Sequence, residues 1–383
     1  AGSTGDAGGG TNLEVLIGSS GDAETRAVTR AAQDWASETG NTVRVLPAQD
    51  LVQQLGQGFA GGAPPDLFYV DSEFVGGFFQ QGSLLAYGDQ IDDVEDFIPS
   101  LNASFTFDDE LVCVPKDFST LALVINTDAW EAAGLTDADV PTTWDELASV
   151  AGTLTTGNQT GLVLGGEYAR IGAFMEQAGG GVLSDDGTQA IADSPENLEA
   201  LTFVKQMLED GVAGFPGDVG AGWGGEAFGL GEAAMTIEGN WIKGALSADY
   251  PDINYIVAEL PEGPAGRGTM QFTVCWGIAS QSTNQEVAID LVNYLTLPEQ
   301  QLAISKSFGV MPSRASALKT FTADNPDDAA FVAGADYGQV PPNIPGIQEA
   351  IAEFNSQLSQ LRTTDPATIL ADLQRNSEAA LGG

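Results

Sequence analysis

The first ordered pattern in the chain is Leu13-Glu-Val-Leu-Ile17, a short apolar run stopped by Gly18-Ser-Ser-Gly21. Ala27, Val28, Ala31, Ala32 and Trp35 then recur at the three-to-four-residue spacing of one helix face. That spacing predicts a helix over 25–38, closed by Gly40. Strands follow at 42–46 and 66–70 with a helix at 50–59 between them. Strand, helix, strand, helix and strand within about 60 residues predict a parallel α/β sheet. Ligands of such sheets sit at the carboxyl ends of the strands, here 18–22, 48–50 and 71–73. Further strands are expected at 113–115, 121–125, 234–237, 255–257 and 274–278. Helices are expected at 144–153, 171–178, 195–211, 226–231, 285–295, 298–308, 348–361 and 366–381. Residues 1–11, AGSTGDAGGGT, lack periodicity and read as a flexible tether. No n-region or h-region of a signal peptide precedes it; a mature exported chain and an arbitrarily trimmed one both begin this way. No repeat or internal linker separates two independent halves, so the chain is expected to pass between lobes more than once.

Length and charge sharpen this picture. A chain of 383 residues exceeds the usual single core and suggests two domains. Asp and Glu number 54 against 13 Lys and Arg, a net charge of −41. Nucleic acids and anionic membranes need a basic surface, so neither is an expected partner. The same charge keeps a secreted protein soluble and monomeric. Histidine is absent, which removes the Ser-His-Asp triad and every His-ligated metal site. No apolar run approaches 18 residues, and neither a metal nor a cofactor is expected. With so many carboxylates, spacing alone leaves open a glycosidase pair, and the acidic charge leaves open a cationic ligand such as a polyamine.

Three features carry candidate chemistry. Gly220-Ala-Gly222-Trp-Gly-Gly225 fits the dinucleotide fingerprint, but a loop and not a strand precedes it. Cys113 and Cys275 both lie in apolar, strand-like contexts; in an exported protein they would pair, and two separate buried thiols are the alternative. Among the tryptophans, Trp35, Trp130 and Trp144 share apolar helical spacing and belong to a core. Trp223, Trp241 and Trp276 lie among glycines, where a large ring suits a ligand wall or caps a loop. Sugars present C–H faces to such rings and hydroxyls to carboxylates and amides, and Glu238-Gly-Asn240-Trp241 supplies that mixture.

Several stretches in a fixed order resemble the sugar-binding receptors of bacterial ABC importers, the group that includes maltose-binding protein. They are Pro65-Asp-Leu-Phe-Tyr-Val-Asp71 with Gly82-Ser-Leu-Leu-Ala86, Asn126-Thr-Asp-Ala-Trp-Glu-Ala-Ala-Gly-Leu135 with Pro141-Thr-Thr-Trp-Asp-Glu-Leu147, Phe228 through Trp241, Tyr294-Leu-Thr-Leu-Pro-Glu-Gln300, and Pro342-Asn-Ile-Pro345. The resemblance implies a two-lobe periplasmic-binding-protein fold with a hinge of crossing strands. Residues 12–118 and 277–321 would form the N-lobe, and 123–271 and 325–383 the C-lobe. It implies a non-catalytic extracellular receptor. A neutral sugar, maltose or a similar α-glucoside, would bind between the lobes and pass to the permease subunits of an ABC transporter. A lipid-modified Cys before the tether would anchor the precursor at the cell surface.

Ligand positions implied by the resemblance are Ser20, Asp22 and Glu24 after the first strand and Asp71, Ser72 or Glu73 after the third. Asp117 and Ser119 would lie at the first hinge crossing. Glu167, Tyr168 and Arg170 would lie in the C-lobe, with Trp241 as the stacking ring and Arg314 near the cleft. Glu238 and Asn240 flank Trp241. A second stacking tryptophan of the malto-oligosaccharide binders is Ile351 here, so that aromatic subsite would be missing or replaced by Trp223 or Trp276. An exported glycoside hydrolase is the alternative class, and a receptor for another mono- or disaccharide or for a cationic ligand is the alternative within receptors.

Overall fold

The computed structural model describes residues 10–382. The tether expected at 1–11 therefore falls largely outside the described residues. Two compact units emerge: Ala1–Phe118 with Thr273–Phe321, and Ser119–Phe272 with Thr322–Gly383. The chain changes unit three times, inside strand Val114–Asn126, inside strand Thr269–Ile278 and in the last turn of helix Ala315–Asp324.

In the first unit, strand Asn12–Ile17 pairs in parallel with Thr42–Pro47 on one side and with Leu67–Asp71 on the other. Residues 274–278 of Thr269–Ile278 run antiparallel to Leu67–Asp71. Helix Asp22–Thr39 buries Val28, Ala32 and Trp35, the face expected from spacing, and Gly40 closes it in the left-handed conformation at φ 77°. The Trp35 indole is buried and donates to Asp290 at 2.8 Å. Cys113 and Cys275, 162 positions apart in sequence, form a disulfide with Cα atoms 5.5 Å apart. The bond fastens the two segments of this unit, which the chain of the second unit separates.

In the second unit, Thr160–Val163 lies in parallel between Ala213–Gly214 and Ala233–Gly239. Residues 121–125 run antiparallel to Ala233–Gly239, and Tyr255–Ala258 pairs with the other edge of 123–126. Trp144 stacks on Phe203 with ring centroids 4.6 Å apart and donates to Gln177 at 2.6 Å. Trp130 and Trp144 are both buried, as their spacing predicts.

Several elements differ from the sequence reading. The expected strands at 113–115 and 121–125 are parts of one strand, Val114–Asn126, buried along its whole length. Lys116, Asp117, Ser119 and Thr120 interrupt its apolar pattern, and each has an ion-pair or hydrogen-bond partner, so the strand need not break there. Helices Ser72–Gln80, Pro99–Ser104, Thr127–Ala132, Ile242–Asp249 and Ala315–Asp324 were not foreseen. The glycine-rich segment 220–225 follows a 3-10 turn, Pro216–Val219, and opens the short helix Gly224–Gly229. It is not part of a strand–helix nucleotide fingerprint. No helix among the described residues is long and apolar enough to cross a membrane.

Candidate functional site

In the first unit, polar groups gather where the parallel strands end. Helix Asp22–Thr39 begins just past Asn12–Ile17, and its first turn carries Glu24, only 3% exposed. Both the backbone N–H and the hydroxyl of Ser20 donate to one Glu24 oxygen, at 2.8 and 2.7 Å. The other oxygen accepts from the Tyr69 hydroxyl at 3.0 Å and lies 3.0 Å from Lys116 Nζ. Lys116 also binds Asp117 and sits 4.6 Å over the Tyr69 ring and 5.1 Å over the Phe308 ring. One buried ammonium thus holds two carboxylates and two aromatic faces.

The electrostatics follow from that burial. Desolvation would raise the Glu24 carboxyl, but the Lys116 charge and the two Ser20 donors outweigh it and hold it below the usual range. For Asp117 burial prevails over the Lys116 ion pair and pushes the carboxyl up to about 6. Burial raises Asp71 too, with Glu24 adding to the shift and Lys116 opposing it. Burial and the Asp71 charge raise Glu73. Burial favours the neutral amine of Lys116, but its two carboxylate neighbours prevail and raise it. The result is a carboxylate-rich group around one fixed cation. Among the described residues no cluster of His, Cys, Asp and Glu could hold a metal ion.

In the second unit the Trp241 ring is half-buried and packs edge-on against Phe272, centroids 5.7 Å apart. Gly239 makes this possible, because a Cβ there would come within 2.2 Å of the indole. Trp241 Nε1 donates to Glu238 at 3.1 Å. Glu238 is 1% exposed, and the same carboxylate binds Arg170. Arg170 reaches Glu167 at 3.2 Å and lies 5.5 Å over the indole. Burial raises the Glu238 carboxyl against the pull of Arg170 and Trp241. Beside this group the Asn240 N–H donates to Ser119 Oγ at 3.1 Å.

Of the residues singled out in the sequence, Ser20, Glu24, Asp71, Glu73 and Asp117 come together in the first unit. Glu167, Arg170, Glu238, Trp241, Asn240 and Ser119 come together in the second. Asp22 is exposed at a helix start, and Ser72 is buried behind Asp71. Trp223 caps Gly224–Gly229 and folds its ring over Gly225.

Three expectations are overturned. Trp276 is not a ligand wall: it is 1% exposed in the apolar core of the first unit, edge to face with Tyr69 at 4.8 Å. Tyr168 lies in the second unit's core against Phe354 and presents no face to solvent. Arg314 does not reach for a ligand: its donors are spent on the carbonyls of Thr296, Asp93 and Asp92, at 2.6, 2.8 and 2.8 Å. The sequence reading also missed Lys116, Tyr69 and Phe272. A lysine inside an apolar strand pattern, in a chain with 13 basic residues, was the one available signal.

Comparison with known proteins agrees with this architecture. A putative binding protein of Brucella abortus is 27% identical over 357 residues, spanning 88% of this chain and 84% of its own length. The GacH receptor of Streptomyces glaucescens superposes with a TM-score of 0.84 at 22% identity, covering 97% of this chain and 99% of its own. The cyclic α-maltosyl-1,6-maltose binding protein of Arthrobacter globiformis does so with a TM-score of 0.85 at 22% identity, covering 98% and 100%. The fold is thus the two-lobe periplasmic-binding-protein fold. Residues 30–333 match the model of the bacterial extracellular solute-binding protein family, and the chain belongs to it. It is a binding protein and not an enzyme.

Proposed function

We propose that the solute is a neutral sugar, an α-glucoside of the maltose or malto-oligosaccharide type, and that the protein hands it to an ABC importer at the outer cell surface. The half-buried Trp241, with Glu238 at its Nε1 and Arg170 over its ring, carries this reading. An indole face offers apolar contact to the C–H side of a pyranose ring, and carboxylates and guanidinium at the rim accept from and donate to its hydroxyls. Two structural relatives are consistent with this class: GacH was solved in complex with acarbose, and the Arthrobacter protein binds a cyclic maltosyl-maltose. A lipid anchor preceding the tether and a monomeric state belong to the same proposal.

A second reading has its own support. Glu24, Asp71 and Asp117 surround the single cation Lys116, with Glu73 beside Asp71, and this excess of acid favours a ligand bearing a protonated amine. A thermal-shift panel separates the two, because binding to the native form raises its midpoint by mass action. Maltose, maltotriose, glucosamine, spermidine and glycerol 3-phosphate form the panel. A rise with maltose or maltotriose alone supports the first reading. A rise with spermidine or glucosamine alone supports the second, and a rise with glycerol 3-phosphate alone refutes both.

A further inference from the structure

Nine of the 13 basic side chains make an ion pair with a carboxylate. In a chain with 54 acids that is the expected fate of a cation. Among the described residues, Arg26, Arg30, Lys306 and Lys319 make none. Three of these four line one groove of about 740 Å³ in the first unit. Arg26 and Arg30 stand one turn apart on helix Asp22–Thr39, and Lys306 stands in the last turn of helix Pro298–Phe308. All three are exposed. The lining between them is apolar at Ala27, Ala31 and Ile304, and Asp34 is the one acid in it.

We propose that this groove is a docking site for an acidic, amphipathic segment of a partner protein. The charges stand on two helices with apolar side chains between them. A lone phosphate would use the charges and leave the apolar lining unoccupied. A peptide places carboxylates on the cations and apolar side chains on the apolar lining, so it uses both. Alanines in the lining let its backbone approach closely. An anionic membrane is a poorer match, because the remaining surface repels it at −41. At physiological salt that repulsion is screened beyond about 8 Å, so a single segment responds to the three nearby cations instead. The proposal does not depend on which solute is bound.

The test uses the intact protein and a fluorescein-labelled dodecapeptide of Glu, Leu and Ala, followed by anisotropy in about 150 mM salt. Saturable binding is expected, and it should vanish near 1 M salt. The double variant Arg26→Glu/Arg30→Glu should weaken it by about tenfold or more, and Lys306→Glu in the same direction. Lys319→Glu should leave it unchanged, and Arg26→Lys/Arg30→Lys should retain most of it. All are surface changes, and an unaltered melting midpoint verifies their folding. Absence of saturable binding to the unaltered protein overturns the proposal, and so does an equal loss with Lys319→Glu. Full displacement by inorganic phosphate at matched charge makes this a small-anion site and overturns it. Cosedimentation with phosphatidylglycerol vesicles that is lost in the double variant makes it a lipid contact and overturns it too.

Discussion

At the residue scale, the structure separates two ways of using a polar or aromatic side chain. Trp241 keeps part of its ring accessible because Gly239 gives it room and Glu238 holds its Nε1. Trp241→Ala is expected to weaken sugar binding by roughly 1.5–3 kcal/mol, the worth of one buried aromatic side chain. Titration calorimetry with the sugar identified in the thermal panel measures it, and wild-type affinity would remove Trp241 from the site. Arg314 is the opposite case, 3% exposed and stacked 4.2 Å over Phe97 while it satisfies three carbonyls. Arg314→Ala leaves those carbonyls bare, so urea unfolding should show a loss of about 2–4 kcal/mol with sugar affinity retained. An unchanged urea midpoint would disprove the structural role. Arg314 stood out in the sequence, but whether its guanidinium faced a ligand or the chain's own carbonyls was not visible there. That choice is made by the 92–96 segment, more than two hundred positions away.

At the element scale, helix Tyr168–Gln177 does two jobs. Its N-terminal end brings Arg170, paired with Glu167, over Trp241, while its C-terminal end buries Gln177 against Trp144 and Glu176 beside Asp185. Burial, with the Asp185 charge, pushes Glu176 up to about 7 from an ordinary 4.5. A folded-state value above the unfolded one means that the native protein binds a proton the unfolded chain has released between pH 4.5 and 7. Stability therefore falls as pH rises through that window, and the full penalty applies above it. Glu176→Gln should raise stability near pH 8 by up to about 3 kcal/mol and change little near pH 4. Urea unfolding at both values reads this; an equal gain at both would mean that the substitution acts through packing. Helical spacing placed this element at 171–178, and the structure starts it at Tyr168 with Glu167 as its cap. The offset matters, because Arg170, which lies over Trp241, and its partner Glu167 both precede the expected start.

At the scale of the whole molecule, the first unit is built from two segments that the second unit's chain separates. The Cys113–Cys275 bond joins them across 162 positions. Closing so long a loop in the unfolded chain removes entropy worth about 5 kcal/mol in the chain-entropy account. Replacing both cysteines by serine should cost about 3–5 kcal/mol of unfolding free energy in the first unit. Calorimetry in which the double variant melts like the parent would contradict this.

What the sequence determined by itself was local or compositional. The period of the apolar residues set the three parallel strands of the first unit and the Trp35 face of helix Asp22–Thr39. The absence of histidine and the charge of −41 narrowed the chemistry before any fold was known. Only the tertiary structure decided that Lys116 would sit between Glu24 and Asp117, that Trp276 would fill a core, and that three unpaired cations would share one groove. Each of these depends on which distant segments become neighbours. A side chain buried with a partner and one left accessible are the same letter in the sequence; burial and pairing are fixed by long-range contacts.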